Sequence, residues 1–186
     1  MERIHIKHQK AARIIRRVNT ILSNGGLPKT GQYSYYPYDD GYYQMGYPLG
    51  GGQRFMDNGD GTAIDLVTGL MWVKDPSQLP GGMFASPMYW YDAINACESL
   101  EYAGWDDWRL PNINELLSII NHSMYIPCLD TYYFTQNPPD GNFWSSTRCA
   151  SWYDGAWIVS FYDGSKYVYG VPWDMCYVRP VRAGQA

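Results

Sequence analysis

Aromatic side chains are unusually dense in this sequence, and turn-forming residues interrupt them at short intervals. The 186 residues include 18 Tyr, 8 Trp and 5 Phe, together with 19 Gly and 12 Pro. Long helices need uninterrupted periodic segments, whereas short strands tolerate frequent Gly and Pro between them. We therefore predict one loop-rich domain of short strands with its own hydrophobic core. Global disorder is excluded, since 46% of the residues are hydrophobic and only 17% are charged.

Charge divides the chain into a basic N-terminal arm and an acidic body. Residues 1–29 carry seven basic side chains and one acid, whereas residues 30–186 carry seven bases and seventeen acids, a net charge of −10. Apolar residues recur at helical spacing over 8–23, which predicts an amphipathic helix there. This helix would pack on its own domain or serve docking or self-association. A nucleic-acid or membrane-surface role is least favoured, because one short basic helix is a weak signal.

Neither a membrane span nor a secretion signal is predicted from the sequence. No apolar run approaches the roughly 18 residues that a spanning helix needs. Residues 1–8 also lack the apolar stretch of a signal peptide. We therefore expect cytoplasmic expression. In a chain without an export signal, free thiols are favoured over two disulfides for the cysteines, which are Cys97, Cys128, Cys149 and Cys176.

Turn signals predict short strands at both ends of the body, with helices between them. Asn-Gly-Asp-Gly at 58–61 is a strong hairpin signal and begins a three-stranded meander. Apolar spacing predicts amphipathic helices over 87–102 and 113–121. Asn112 and Glu115 have the spacing of a capping box at the start of the second helix. Because strands return after these helices, we predict an α+β domain with mostly antiparallel β-structure.

Two arginines stand inside apolar, strand-like segments. Arg109 follows a Trp and precedes a Leu, and Arg179 lies between Val178 and Pro180. A buried guanidinium needs a carboxylate or carbonyl partners, so we predict that both side chains are buried and structural.

Seven segments, taken in order, resemble one protein family. They are RFMDNGDGT (54–62), TGLMW (68–72), the helix with Asp92 and Cys97, DWRLPN (107–112), FWSST (143–147), AWIVSFYDG (156–164) and YVRPVR (177–182). In this order they resemble the Lcl C-terminal domain family, found at the end of bacterial collagen-like adhesins and in phage-associated proteins. The resemblance extends over about residues 30–184 and implies a C-type-lectin-like fold for a domain at 30–186. Many members have a Cys where Pro180 stands, so the disulfide that the resemblance implies for Cys97 has no partner here.

The resemblance also implies a display function. Such domains occur in the variable proteins of diversity-generating retroelements, in which a mutagenic reverse transcriptase rewrites a C-terminal segment that forms a binding face. Here that segment is 142–182, and the resemblance implies a non-enzymatic receptor-binding protein of a phage or mobile element, associated with a virion or a cell surface. The predicted ligand-binding positions are Arg148, Cys149, Ser151, Trp152, Tyr153, Asp154, Ser165, Lys166, Tyr167, Tyr169, Val171, Trp173, Asp174, Met175 and Cys176.

Aromatic residues in this segment divide into two predicted groups. Recognition surfaces favour Tyr and Trp, because each supplies a large contact area with only two side-chain torsions to fix. Trp152 and Trp173 lie next to turn-forming residues and are predicted to face a ligand. Trp144, Trp157 and Phe161 are predicted to be core.

The sequence is also compatible with two other functions. The first alternative is an adhesin-like domain that binds glycans or glycosaminoglycans, although the acidic body disfavours polyanions. A minor alternative is an oxidase similar to formylglycine-generating enzymes, with Cys149 and Cys176 in neighbouring loops but no nearby His. No cofactor or metal is predicted, because 137–140 and 172–174 resemble calcium-dependent sugar motifs only superficially. The partner is an unknown protein or cell-surface ligand.

Overall fold

The computed structural model describes residues 27–33, 36–37, 39–43, 45–47, 54–135 and 141–183. The predicted helix at 8–23 and the segment 137–140 lie outside these residues. The described residues form an α+β fold made mostly of two antiparallel sheets with a few short helices.

The first sheet has four strands and joins distant parts of the chain. Its strands are β1 (Phe55–Asp57), β2 (Thr62–Asp65), β3 (Leu70–Val73) and β7 (Val181–Ala183), in that spatial order. The first three strands are the predicted meander, with Asp57 opposite Ala63 across the first turn. At that turn Gly61 has a φ of 87°, and the Tyr102 hydroxyl occupies the space that a side chain would need. Only glycine suits this position.

The second sheet has three strands in chain order. These are β4 (Asn142–Arg148), β5 (Gly155–Ser160) and β6 (Lys166–Gly170), all antiparallel. The pairing of β4 with β5 is irregular between Trp144 and Arg148. The pairing of β5 with β6 is regular from Gly155 opposite Gly170 to Val159 opposite Lys166.

Helices occur within both predicted ranges, but each is shorter than predicted. After α1 (Asp40–Tyr43) and two 3-10 turns, α2 covers Trp90–Glu98 and α3 covers Ile113–Ser118. The residues before α2 are extended, because the Met88 backbone pairs with Cys176 on another loop. The capping box at the start of α3 is confirmed: the side chain of Asn112 accepts from the backbone N–H of Glu115, whose carboxylate accepts from the Asn112 N–H.

Reciprocal tryptophan hydrogen bonds join α2 to β4. The Trp90 indole N–H donates to the Ser145 carbonyl at 2.8 Å, and the Trp144 indole N–H donates to the Met88 carbonyl at 2.8 Å. Each indole is buried, so these bonds satisfy polar groups that would otherwise be costly to desolvate. They fix the start of α2 against the second sheet.

Among the residues that the structure describes, three arginines are buried, and Arg109 is not one of them. Arg54 pairs with Asp65, Arg179 donates to the carbonyls of Val73 and Lys74 at 2.7 Å, and Arg182 pairs with Asp107. The burial predicted for Arg179 is therefore confirmed. The burial predicted for Arg109 is wrong: its side chain is 38% exposed and pairs with Glu115 at 2.6 Å. The backbone of Arg109 pairs with Val181, which leaves its side chain at the rim.

Candidate ligand-binding face

The two loops that hold most of the predicted binding positions lie at one end of the second sheet. Loop 149–154 joins β4 to β5, and loop 171–176 follows β6. Because β5 is antiparallel to both neighbours, the end of β4, the start of β5 and the end of β6 adjoin one another. The Val171 N–H donates to the Asp154 carbonyl at 2.7 Å and ties the two loops together.

Gly155 and Gly170 are cross-strand neighbours at this end, and a tryptophan from each loop covers one of them. A Cβ added to Gly155 would lie 2.9 Å from the Trp152 ring, and one added to Gly170 would lie 2.7 Å from the Trp173 ring. Such contacts are too close for a side chain, so the two glycines form a floor on which the indoles lie. Trp152 nevertheless remains 42% exposed and Trp173 67% exposed.

Trp157 extends this surface along the sheet. Side chains alternate between the faces of a strand, so Trp157 and its partner Val168 lie on the same face as the glycine floor. Both are half-buried, and the Lys166 ammonium lies 5.2 Å from the centre of the Trp157 ring. The prediction that Trp157 is core is therefore wrong. We call Trp152, Trp157, Trp173, Val168 and Lys166, together with the glycine floor, the aromatic face.

Arg148 connects loop 149–154 to the start of α2. Its guanidinium lies 5.5 Å from the centre of the Trp90 ring and 5.4 Å from that of Tyr153, and it donates to the Tyr153 carbonyl. Cation–π contacts of this kind are favourable and hold a charged side chain in place. Tyr153 itself is 87% exposed. Arg148 thus holds a highly exposed ring beside the aromatic face.

Comparison with known proteins places this architecture in a family. The sequence model of the Lcl C-terminal domain matches residues 61–182. The chain belongs to the Lcl C-terminal domain family. The match includes β2 to β6 and the whole aromatic face. The matched range is shorter than the range of residues 30–184 that the sequence resemblance predicts. A comparison with curated proteins gives no match.

Several predicted binding positions of this Lcl C-terminal domain are buried. Val171 and Cys176 belong to the hydrophobic core, and Cys149 is only 9% exposed. Val171 and Cys176 therefore lie beneath the exposed surface and Cys149 adds little area to it, and ligand contact by these three side chains stays a prediction. They carry no charge that would keep them at the surface.

Two further predicted positions support the loops. Tyr169 is half-buried against the Trp144 ring, and its hydroxyl accepts a hydrogen bond from the Asn142 amide at 3.0 Å. The Asp174 carboxylate accepts from the Gly170 N–H at 2.7 Å and closes the turn that carries Trp173. These side chains hold the face in shape.

The remaining predicted positions do not all share one surface. Ser165 lies in the turn at the opposite end of the β5–β6 hairpin, where its carbonyl accepts from the Ser160 N–H. Tyr167 is exposed but projects from the other side of β6, because it alternates with Lys166 and Val168. Around the loop end, the exposed predicted positions are Arg148, Ser151, Trp152, Tyr153, Trp173 and Met175.

All four cysteines are free thiols, and Cys149 differs from the others. Burial raises the pKa of Cys97, and it raises the pKa of Cys128 to about 11 and that of Cys176 to about 12. The Ser151 hydroxyl, 3.3 Å from the Cys149 sulfur, lowers the pKa of the Cys149 thiol. Cys149 therefore has the largest thiolate fraction of the four at neutral pH.

Neither metal ligands nor a membrane span is found in the part of the chain that the structure describes. Within those residues, His, Cys, Asp and Glu side chains form no group of three or more that could hold a metal ion. None of the described helices is long and apolar enough to cross a membrane.

Proposed function

We propose that this Lcl C-terminal domain is a non-enzymatic ligand-binding module with a C-type-lectin-like fold, and that the aromatic face contacts the ligand. The observation that carries the proposal is the pair of exposed indoles, Trp152 and Trp173, seated on the glycine floor. A whole aromatic side chain can bury about 150–250 Å², and 42% of Trp152 and 67% of Trp173 is still exposed to a partner. A partner that covers both rings removes this apolar area from water without any rearrangement of the loops.

Preorganisation supports the same proposal. The Asp154–Val171 backbone bond, the Asp174 cap and the stacking of Arg148 hold the loops before a ligand arrives. Loops that are already ordered lose little entropy on binding, so more of the contact energy is available for affinity.

We also propose that a retroelement diversifies the segment 142–182 and that the protein is a receptor binder of a phage or mobile element. Exposed loop residues such as Tyr153 and Met175 have few structural partners, so substitutions there would leave the core intact. The test is the DNA that follows the gene. A near-copy of the segment encoding 142–182, differing mainly at adenines and adjoining a reverse-transcriptase gene, would support diversification, and its absence would contradict it.

The glycan-binding alternative is favoured by one observation. Arg148 and Lys166 place two cations beside the exposed ring of Tyr153 and the half-buried ring of Trp157, which suits an acidic sugar. The net charge of −10 over residues 30–186 opposes a polyanion at longer range. The oxidase alternative is weakened because the buried Cys176, with its raised pKa, stays a thiol at neutral pH. Strong copper(I) binding by the native protein would restore it.

The binding proposal is tested by matched aromatic variants. Labelled wild-type protein is applied to arrays of cell-surface proteins and of glycans, beside Trp152→Ala/Tyr153→Ala/Trp173→Ala. The control is Tyr125→Ala/Tyr162→Ala, which removes two exposed, mutually packed rings at the opposite end of the sheet. We expect a ligand that binds the wild type and the control but not the triple variant. Binding that persists in a folded triple variant would overturn the proposal.

A further inference from the structure

We infer that a groove beside α2 is an anchor site for a lysine or arginine side chain of the protein that covers the aromatic face. This inference rests on the proposed function. The groove is a cavity of about 420 Å³, within the range of about 300–1,000 Å³ that is usual for small-ligand sites. It is lined by Met83, Met88, Asp92, Asn95, Ala96 and Ser99.

The lining of the groove matches a basic side chain. Met83, Met88 and Ala96 give apolar walls, and methionine adapts its shape to what it contacts. Asp92, in the first turn of α2, is the only ionisable side chain among the described residues that line the groove. Lysine and arginine combine an apolar stem with a cationic head, so the stem would lie along the methionines while the head pairs with Asp92.

The Asp92 carboxylate is available for such a pair. Its side chain is exposed, and the ion pairs found in the described residues do not include it. An anionic group in the groove would meet this carboxylate, and the described lining residues offer no compensating cation. The groove therefore selects positive over negative ligands.

A backbone bridge joins Met88, a groove residue, to the loop that carries Trp173 and Met175. The Met88 N–H donates to the Cys176 carbonyl at 2.9 Å, and the Cys176 N–H donates to the Met88 carbonyl at 3.1 Å. This antiparallel bridge places Tyr89 beside Met175, and these side chains are 43% and 50% exposed. A protein lying on Trp173 and Met175 thus reaches Tyr89, the chain neighbour of the groove residue Met88. Anchor residues in such pockets carry much of an interface's affinity.

The test uses amino-acid amides as probes of the full chain. Uniformly ¹⁵N-labelled protein is titrated at low ionic strength with N-acetyl-lysine amide, N-acetyl-arginine amide and neutral N-acetyl-norleucine amide. We expect the two cations to shift the amide signals of Asp92, Asn95 and Ser99 and the norleucine amide to bind more weakly. Asp92→Asn should weaken lysine-amide binding by about fivefold. The control Glu98→Gln, which removes an exposed carboxylate of α2 outside the groove, should not.

The outcomes separate the groove from the aromatic face. The anchor-site proposal is overturned if lysine and norleucine amides bind equally well, or if Asp92→Asn binds the lysine amide as the wild type does. Trp152→Ala/Trp173→Ala should bind the lysine amide as the wild type does, because those rings do not line the groove. Loss of array binding in that variant with intact amide binding supports both sites. If the wild-type protein binds a ligand on the arrays but not the lysine amide, the anchor-site proposal fails and the proposed function stands.

Discussion

The Arg54 guanidinium donates two hydrogen bonds to the Asp65 carboxylate, at 3.1 and 2.7 Å, and neither side chain has any exposed surface. Removing one partner of a buried pair leaves an uncompensated charge. We expect Arg54→Met to lower the free energy of unfolding by about 3–5 kcal/mol, measured by urea denaturation. The control is Lys74→Met, which breaks the partly exposed Lys74–Asp57 pair and should cost about 1 kcal/mol or less. Equal losses in the two variants would contradict this account.

Arg109 and Arg179 should differ sharply in their importance for stability. Arg179 has no exposed surface and donates to two main-chain carbonyls, whereas Arg109 lies at the rim and pairs with Glu115. We expect Arg179→Ala to lower the free energy of unfolding by about 3–5 kcal/mol and Arg109→Ala by about 1 kcal/mol. Thermal and chemical denaturation would show which variant loses more free energy of unfolding. A greater loss of stability in Arg109→Ala than in Arg179→Ala would contradict the prediction.

The glycine floor predicts a coupling between Gly170 and Trp173. A methyl group at Gly170 would collide with the indole, so Gly170→Ala should cost about 1–3 kcal/mol in the wild type. In a Trp173→Ala background the collision is absent and the cost should fall. A double-mutant cycle from urea denaturation measures the difference. If Gly170→Ala costs the same in both backgrounds, the indole does not lie on the floor.

Cys149 should be the first thiol to be alkylated. A lowered pKa raises the thiolate fraction at a given pH, and the thiolate is the reacting species. We expect limiting iodoacetamide at pH 7.5 to modify Cys149 ahead of Cys97, Cys128 and Cys176, whose pKa is raised by burial, as read by peptide mass spectrometry. Ser151→Ala should slow the reaction, because it removes the hydroxyl that lowers the pKa. Uniform labelling of all four cysteines in the native protein would be the contrary result.

Deletion of residues 1–26 should leave a folded body. The deletion removes the predicted helix at 8–23 but keeps Lys29, whose N–H donates to the Tyr47 carbonyl, and Thr30, whose carbonyl accepts from the His122 N–H. Circular dichroism and a cooperative thermal transition would verify folding. A truncated chain without such a transition would show that the helix belongs to the core.

Local chemistry made some elements predictable from sequence. The capping box of Asn112 and Glu115 and the turn at 58–61 depend on residues only a few positions apart, and the structure contains both. The start of α2 was not predictable in this way. It depends on the pairing of Met88 with Cys176, which lies in a distant loop.

The aromatic face was predicted only in part for the same reason. Trp152 and Trp173 lie in loops, which predicts that they are exposed. Trp157 lies in an unbroken apolar run, and such a run does not indicate which face of β5 a residue occupies. Its position is set by Val168 on the neighbouring strand. The Arg54–Asp65 pair was also missed, although a charged residue between Ile64 and Leu66 is a signal that an opposite charge is buried nearby.

The pairing of β3 with β7 has a consequence for how the chain is made. Leu70 lies opposite Ala183, so the first sheet gains its fourth strand only after the loops of the aromatic face have been synthesised. Contacts of such long sequence separation form late and slowly. During synthesis on the ribosome, β1, β2 and β3 are made long before β7, which completes their sheet. A premature stop codon within the binding loops would therefore yield an incomplete sheet, and cellular proteases would remove that product.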